Sequence, residues 1–349
     1  MNAGPDGFNL AFKAYVPVSV RGIMKNQPLV VAACCWLLLS ATAAACINIY
    51  GTDSHGHAVM FPKDHTSRID RLRQTTIDKD YWREQVSILA KDHESGNFKR
   101  RSDYAAALIY LGRPNEAIAI LEEVAPENPD EYIVAANLGT AYELSGDLEQ
   151  ALHWIRKGYE LNPTSHWGSE WLHIKILEAK LELAADPDWL KTHSVLGLDF
   201  GNDAAPRLPE ETIIDVTGST LTIEEIVSDV DYQLDERLKF VSPPDPIVGD
   251  LLFDLGNLVA LAEVAEKAVP LYEFAEEYGV KDPALTGRRV EHLQSLIAAN
   301  VRSGTTDQID PQRVIIALVI VATVFLAFVG LVIFGFVRWR KSRRQTPES

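Results

Sequence analysis

Two consecutive segments of 34 residues align without a gap, and this fixed period constrains the fold more than any other feature. Residues 98–131 read FKRRSDYAAALIYLGRPNEAIAILEEVAPENPDE, and residues 132–165 read YIVAANLGTAYELSGDLEQALHWIRKGYELNPTS. The matching pairs are Gly112 with Gly146, Ala117 with Ala151, Leu121 with Ile155, Asn128 with Asn162, and Pro129 with Pro163. Such self-similarity predicts stacked supersecondary units, because each unit needs its neighbour to bury its apolar face.

Small and turn-forming residues recur where two helices of a hairpin would need them. Gly139 and Ala151 are small where the helices would touch, and Tyr142 would fill the space between units. Gly146 falls in the expected turn, where a left-handed backbone costs glycine little. Pro163 would end the second helix because proline cannot continue it.

The second segment resembles the tetratricopeptide repeat (TPR) family. The residues at the family's positions are Leu138, Gly139, Tyr142, Gly146, Ala151 and Pro163. Ala135 and Gly158 depart from the family's pattern, and the first segment matches less well, with Ala105 for the glycine and Leu108 for the tyrosine. The resemblance implies an all-α, TPR-like α-solenoid of helical hairpins whose concave groove binds a protein or peptide, as a scaffold and not as an enzyme.

The chain after the repeats predicts further helices around a loop-rich insertion. A third helix is predicted within residues 169–186, but its partner helix is replaced by an insertion at 184–221 that is rich in proline, glycine and aspartate. Residues 212–222 suggest a short β-hairpin. A helix over 222–241 would begin with a capping box, because Glu225 follows Thr222 by three residues.

Residues 222–301 are predicted to be a divergent helical region. Residues 249–282 offer Leu255, Gly256, Ala268 and Ala275 at positions of the TPR template, and a capping helix would follow them. Pro270 would either kink the second helix or mark the first residue of a later start. Residues 302–313 form a polar linker.

Residues 314–337 are 24 consecutive residues without a charge, which is long enough for a transmembrane helix. The basic tail 338–349 that follows would stay in the cytoplasm by the positive-inside rule. We therefore expect a single-pass protein of the cell (inner) membrane, of a bacterial envelope type. Its repeats would face the periplasm or the cell exterior.

The stretch 24–45 fits a secretory signal peptide, with a basic start, an apolar middle and small residues before Cys46. Two alternatives stay open: an uncleaved span over 29–49, and a lipid anchor on Cys46. Residues 1–23 do not resemble the start of a signal peptide, so Met24 is predicted to be the true start. Residues 46–97 would then be an N-terminal extracytoplasmic segment.

Charge and cysteine content exclude some functions. Residues 47–312 carry 24 lysines and arginines against 47 aspartates and glutamates, a net charge of −23 that would repel nucleic-acid phosphates. The three cysteines, Cys34, Cys35 and Cys46, precede the body, so no disulfide can form within it. The sequence does not identify a specific partner, and it indicates no cofactor.

The predicted groove is the leading candidate site. Trp167 and Trp171 are four residues apart and would share one helical face if a helix began by Trp167. An exposed tryptophan on that face would anchor a partner. The alternative is that both tryptophans pack in the core. The partner-binding residues predicted on the inner helices are Tyr110, Ile133, Thr140, Glu143, Trp167, Trp171 and Ile174. Some TPR proteins hold an acidic tail in a carboxylate clamp, but of its places here (Ser102, Ala106, Asn137, Trp167 and Trp171) only Asn137 matches.

No catalytic motif is found in the sequence, so an enzymatic or metal-binding role is only the alternative to the scaffold function. An envelope enzyme or metal-binding protein would use the insertion, with His193, Asp199 and Asp203 as its polar contributors, or the His/Asp-rich start of the body. The weak metal candidates there are His55, His57 and His65. A structural subunit of an envelope assembly is a third possibility.

Overall fold

The computed structural model describes residues 48–62, 67–91, 97–214 and 218–304, together with residues 329 and 333–335. Two strands open the described chain, β1 (Asn48–Thr52) and β2 (Ala58–Pro62). The helices are α1 (Arg68–Gln74), α2 (Lys79–Leu89), α3 (Phe98–Tyr110), α4 (Pro114–Val124), α5 (Tyr132–Ser145), α6 (Leu148–Leu161), α7 (Glu170–Ala185), α8 (Ile223–Leu238), α9 (Pro246–Ala262), α10 (Ala265–Tyr278) and α11 (Pro283–Gly304). Short 3₁₀ helices cover Ala125–Glu127, Ser165–Gly168 and Trp189–Lys191.

The predicted repeats are two helical hairpins in strict register. Helices α3 and α5 begin at Phe98 and Tyr132, and helices α4 and α6 begin at Pro114 and Leu148, so both pairs are offset by the 34 residues of the sequence period. The turn between α5 and α6 contains Gly146 with φ of 92°, as predicted. The hairpins bury their own apolar cluster, so the helical repeat is a property of this chain's own geometry.

Helices α5 and α6 pack closely because Gly139 has no side chain. A Cβ atom added there would lie 2.6 Å from Ile155 Cδ1 and 3.0 Å from the backbone nitrogen of Ile155. Gly158, on the facing helix, is less crowded, since its added Cβ would lie 3.6 Å from the nitrogen of Ala136.

Gly139→Ala should therefore lower the free energy of unfolding by about 1–3 kcal/mol through overpacking. Gly158→Ala is the matched control and should raise that free energy by roughly 0.5–1 kcal/mol, because alanine favours helix more than glycine does. Urea unfolding of both variants measures the difference. Equal effects at the two glycines would show that close packing at Gly139 does not matter.

The insertion after α7 is loop-rich, as predicted, but it packs into the core. Residues 192–212 have no helix or strand. Where a hairpin was predicted, the described residues form one antiparallel bridge, between Ile214 and Thr220. Six apolar side chains of the insertion are buried in the largest apolar cluster: Leu190, Val195, Leu196, Leu198, Phe200 and Ile213. The insertion thus supplies core in place of the missing partner helix.

The C-terminal half contains helices where the sequence predicts them. Helix α8 begins with the capping box, since the backbone nitrogen of Glu225 donates to Thr222 Oγ1 at 3.2 Å and that of Thr222 donates to Glu225 Oε2 at 2.8 Å. Helices α9 and α10 form the hairpin predicted as a divergent repeat. Pro270 lies inside α10, which begins at Ala265, so the predicted later start at this proline is wrong.

The N-terminal segment contains a β-hairpin that the sequence analysis did not predict. Strands β1 and β2 form a two-stranded sheet, and Asp53 shapes its turn by accepting hydrogen bonds from the backbone nitrogens of His55 and His57. Asn48 and Ile49 belong to a strand, so an uncleaved N-terminal span would have to end before them, and the predicted range 29–49 is too long.

The predicted signal, Cys46 and the basic tail lie outside the described residues, as does most of the predicted span 314–337. Within that span the structure describes only Val329 and residues 333–335, which are helical. No helix in the described part of the chain is both long enough and apolar enough to cross a membrane.

Candidate functional site

The inner face of the repeats is covered by the chain's own helix α8. Arg237 on α8 donates to Glu143 of α5 at 2.6 Å, and the ring of Phe240, just past α8, lies 5.6 Å from that of Tyr110. Tyr110 also stacks on Trp82 of α2 at 4.1 Å. Tyr110 and Glu143, which the groove prediction assigned to a partner, are therefore engaged within the molecule.

Trp171 is a second correction to the predicted groove. Its side chain is buried, and its Nε1 donates to Asp229 Oδ2 at 2.7 Å. Helix α7 begins at Glu170, so Trp167 lies outside it and the two tryptophans do not share a helical face. Trp171 belongs to the core, as the alternative interpretation had it.

Trp167 lies in a strained, exposed turn. His166, Trp167 and Gly168 are consecutive left-handed residues, with φ of 50°, 59° and 89°. Only the glycine adopts this conformation freely, and each non-glycine residue in such a region costs on the order of 1–3 kcal/mol. The Trp167 side chain is nevertheless 88% exposed, so the strain is not repaid by burying the indole.

The turn is held from beneath by polar contacts. The buried carboxylate of Glu170 lies 2.5 Å from His166 Nδ1, and Ser169 Oγ donates to the carbonyl oxygen of His166 at 2.8 Å. The imidazole also stacks on Tyr232 of α8, with ring centroids 5.6 Å apart. These contacts over-determine the backbone of His166, and the side chain of the adjacent Trp167 faces solvent.

A buried ion network lies next to this turn, between helices α5, α7 and α8. The Glu143 carboxylate, 6% exposed, accepts from Lys180 Nζ at 2.7 Å and from Arg237 Nη1 at 2.6 Å. His173 Nε2 lies 2.7 Å from Glu143 Oε2, and its Nδ1 lies 3.2 Å from Glu170 Oε1. Only Glu143 of this network had been predicted as a site residue, because its partners come from distant parts of the chain.

The network keeps both carboxylates ionised. Burial raises the pKa of Glu143, but Arg237, Lys180 and His173 outweigh burial and hold that pKa well below its usual value. Burial likewise opposes ionisation of Glu170, yet hydrogen bonds from His166 and His173 lower its pKa to about 2.

His173 bridges the two carboxylates, which favours its protonated form. Burial lowers the pKa of His173, but attraction to Glu143 and hydrogen bonds to both glutamates more than offset burial, so the pKa lies above 6.5. Only the imidazolium has two N–H donors, one for each carboxylate. The charged groups facing the ring are Glu143 from α5, Glu170 and Lys180 from α7, and Arg237 from α8.

Stability should consequently fall as the pH rises above neutrality. The stabilisation from a group with a raised pKa is fully present below the unfolded-state value of 6.5 and is lost as pH passes the higher folded-state pKa. Thermal unfolding between about pH 6 and pH 9 should show this decline. His173→Gln should be less stable at the lower pH and should lose the decline. A wild-type profile that stays flat across this range would contradict the protonated bridge.

A cavity of about 110 Å³ adjoins the network. Its lining includes the network residues Glu143, His173, Lys180 and Arg237, together with Thr140 of the predicted groove. Arg237 Nε is buried there without a hydrogen-bond partner among the described residues. At about 30 Å³ per water molecule, the space is suited to a few waters that satisfy these groups.

The remaining groove residues differ in their surroundings. Ile133 is 40% exposed, whereas Ile174 packs on a small cluster around Leu177. Thr140 Oγ1 donates to the Ala136 carbonyl oxygen at 3.1 Å. Asn137, the matching clamp residue, donates to Ser102 Oγ at 3.0 Å instead of facing solvent alone.

The polar residues named for an enzymatic alternative have separate structural partners. His193 stacks on Trp189, with ring centroids 4.9 Å apart. Asp199 pairs with Arg207, and the Asp203 carbonyl oxygen accepts from Arg289 Nε at 3.4 Å.

The metal candidates of the N-terminal segment are only partly described. The rings of His55 and His57 stack at 6.0 Å on the hairpin turn, and His65 lies outside the described residues. Among the described residues, no three histidine, cysteine or acidic side chains are grouped so as to hold a metal ion.

Comparison with known proteins assigns no family. No protein-family model matches the chain, and no curated protein matches it. Among solved structures, it is similar to a thermophilic TPR protein from Thermus thermophilus, with 14% identity and a TM-score of 0.28 over 60% of this chain and 88% of that one. Such a TM-score does not show a shared fold, so the repeat architecture rests on the register of the chain's own hairpins.

Proposed function

We propose that this protein is a helical-repeat scaffold that binds a protein partner through the turn at Trp167. The observation that carries the proposal is an 88% exposed tryptophan in a backbone conformation that costs free energy and is held by buried contacts. Strained residues concentrate at binding and catalytic sites, and tryptophan is enriched among the residues that dominate binding energy. The candidate contact surface is centred on this turn, since Arg237 of α8 and Phe240 just after it engage Glu143 and Tyr110 on the inner face of the repeats.

Trp167→Ala should weaken partner binding by about 30-fold or more, equivalent to about 2 kcal/mol for an interface anchor. A photo-crosslinking residue at Thr164, which is exposed beside the turn, should trap a partner in intact cells. The trapped band should disappear with Trp167→Ala. It should persist with Leu208→Ala, which removes another exposed apolar side chain. A band that survives Trp167→Ala would refute the role of the turn.

We further propose that the scaffold is held at the cell membrane by the segment 314–337, with the body outside and the basic tail inside. Support comes from the uncharged 24-residue stretch and the cluster of arginines and lysine after it. Within the described part of that stretch, Ile333 and Phe334 are 57% and 63% exposed, as lipid-facing residues would be. Reporter fusions after residue 300 and at the C-terminus test this topology: both on the same side of the membrane would exclude it.

A further inference from the structure

The N-terminal hairpin is fastened to the end of the last helix. Asn300 Nδ2 on α11 donates to Thr52 Oγ1 at 2.9 Å and to the carbonyl oxygen of Gly51 at 3.3 Å. Thr52 donates through its backbone nitrogen and its hydroxyl to the two carboxylate oxygens of Glu266, at 2.9 and 2.8 Å. The first strand and the last helical turns of the body therefore lie side by side.

The two ends of the described body therefore lie at one place. The described body begins with β1 at Asn48 and ends with α11 at Gly304, and nine residues separate Gly304 from residue 314. Even fully extended, residues 305–313 reach only about 30 Å. If residues 314–337 span the membrane, the end of the body formed by β1 and the C-terminus of α11 is held close to the membrane surface.

The hairpin exposes apolar side chains at the same place. The backbone nitrogen of Asp53 donates to the His57 carbonyl oxygen at 3.0 Å, and this register sets Tyr50 directly opposite Met60 on one face of the sheet. Tyr50 is 73% exposed and Met60 is 62% exposed. Val301, next to the bonded Asn300, is 63% exposed.

We infer that this hairpin face, defined by Tyr50 and Met60, rests on the interfacial layer of the lipid bilayer. Tyrosine suits that layer because its ring is apolar and its hydroxyl is polar. The body's net charge of −23 disfavours anionic headgroups, so the surface fits zwitterionic lipid. The inference rests on the proposed membrane anchoring and adds an orientation to it. The body that carries the repeats and Trp167 would contact the membrane through this hairpin.

Lipid-borne quenching of a fluorophore tests the orientation in the full chain. Cys34, Cys35 and Cys46 are replaced by serine, and single cysteines are introduced as Tyr50→Cys, Met60→Cys and, as control, Ile88→Cys on α2. Ile88 is a suitable control because it is also apolar and 52% exposed. Each labelled chain is reconstituted into phosphatidylcholine vesicles containing a lipid with a nitroxide on its headgroup, and each preparation is first floated on a density gradient.

Flotation and quenching separate the two proposals. Flotation together with loss of most of the fluorescence at positions 50 and 60, but not at 88, is the expected result. Flotation with equal quenching at all three positions, or with none, would overturn the orientation and leave the anchoring standing. Chains that do not float would overturn both.

Discussion

Replacing Glu143 with alanine is expected to lower the free energy of unfolding by about 3–5 kcal/mol. The carboxylate is the common acceptor for Lys180, His173 and Arg237, and its side chain is only 6% exposed. Without it, the buried guanidinium of Arg237 and the imidazolium of His173 each lose their closest opposite charge. Removing one partner of a buried pair is costly because the other charge stays desolvated.

Glu178→Ala provides the matched control for this experiment. Glu178 also accepts from an arginine, Arg156, at 2.6 Å, but both side chains are about half exposed. A solvent-exposed pair of this kind contributes roughly 0–1 kcal/mol. Urea unfolding monitored by tryptophan fluorescence compares the two variants, and a loss at Glu143 no larger than that at Glu178 would show that the network is not a source of stability.

Replacing Arg289 with alanine is expected to destabilise the fold by a similar amount, about 3–5 kcal/mol, and to release the insertion. Arg289 is fully buried, and its Nη2 donates to the carbonyl oxygens of Gly201 at 2.6 Å and Phe200 at 3.1 Å. Its Nη1 bonds Asn257 on α9. The variant leaves these buried acceptors without a donor, and each unsatisfied group costs about 1–3 kcal/mol.

Limited proteolysis should locate this effect. Cleavage within residues 192–212 should become faster in Arg289→Ala, because the insertion loses the contacts that hold it to α9 and α11. Arg288→Ala is the neighbouring control, since exposed Arg288 makes one 3.4 Å bond to the carbonyl oxygen of Asn202. Similar cleavage of the wild type and Arg289→Ala would exclude Arg289 as the fastening residue.

The repeats could be predicted because their determinants are local. Gly139, Gly146 and Ala151 act within one hairpin. The 34-residue period makes the pattern easier to recognise because it occurs in two consecutive segments. The capping box at Thr222 is also local, and the structure confirms it. Helix starts, turns and close helix pairs are encoded within a few residues of the place where they act.

The site could not be predicted in the same way because its contacts join distant residues. Glu143 and Arg237 are 94 positions apart, and no spacing rule links them. The helical start assumed for Trp167 failed because the left-handed conformation of His166 depends on Glu170 and Tyr232, and the latter lies on another helix.

The position of α8 also changes how the molecule should come apart. In an open solenoid each repeat contacts only its neighbours, so repeats can unfold one after another from an end. Here Arg237 and Phe240 join the repeat hairpins to helices that come about a hundred residues later in the chain. The repeats and the C-terminal half should therefore lose structure together, in one cooperative step, and mechanical pulling should meet a single large barrier instead of a staircase of small ones.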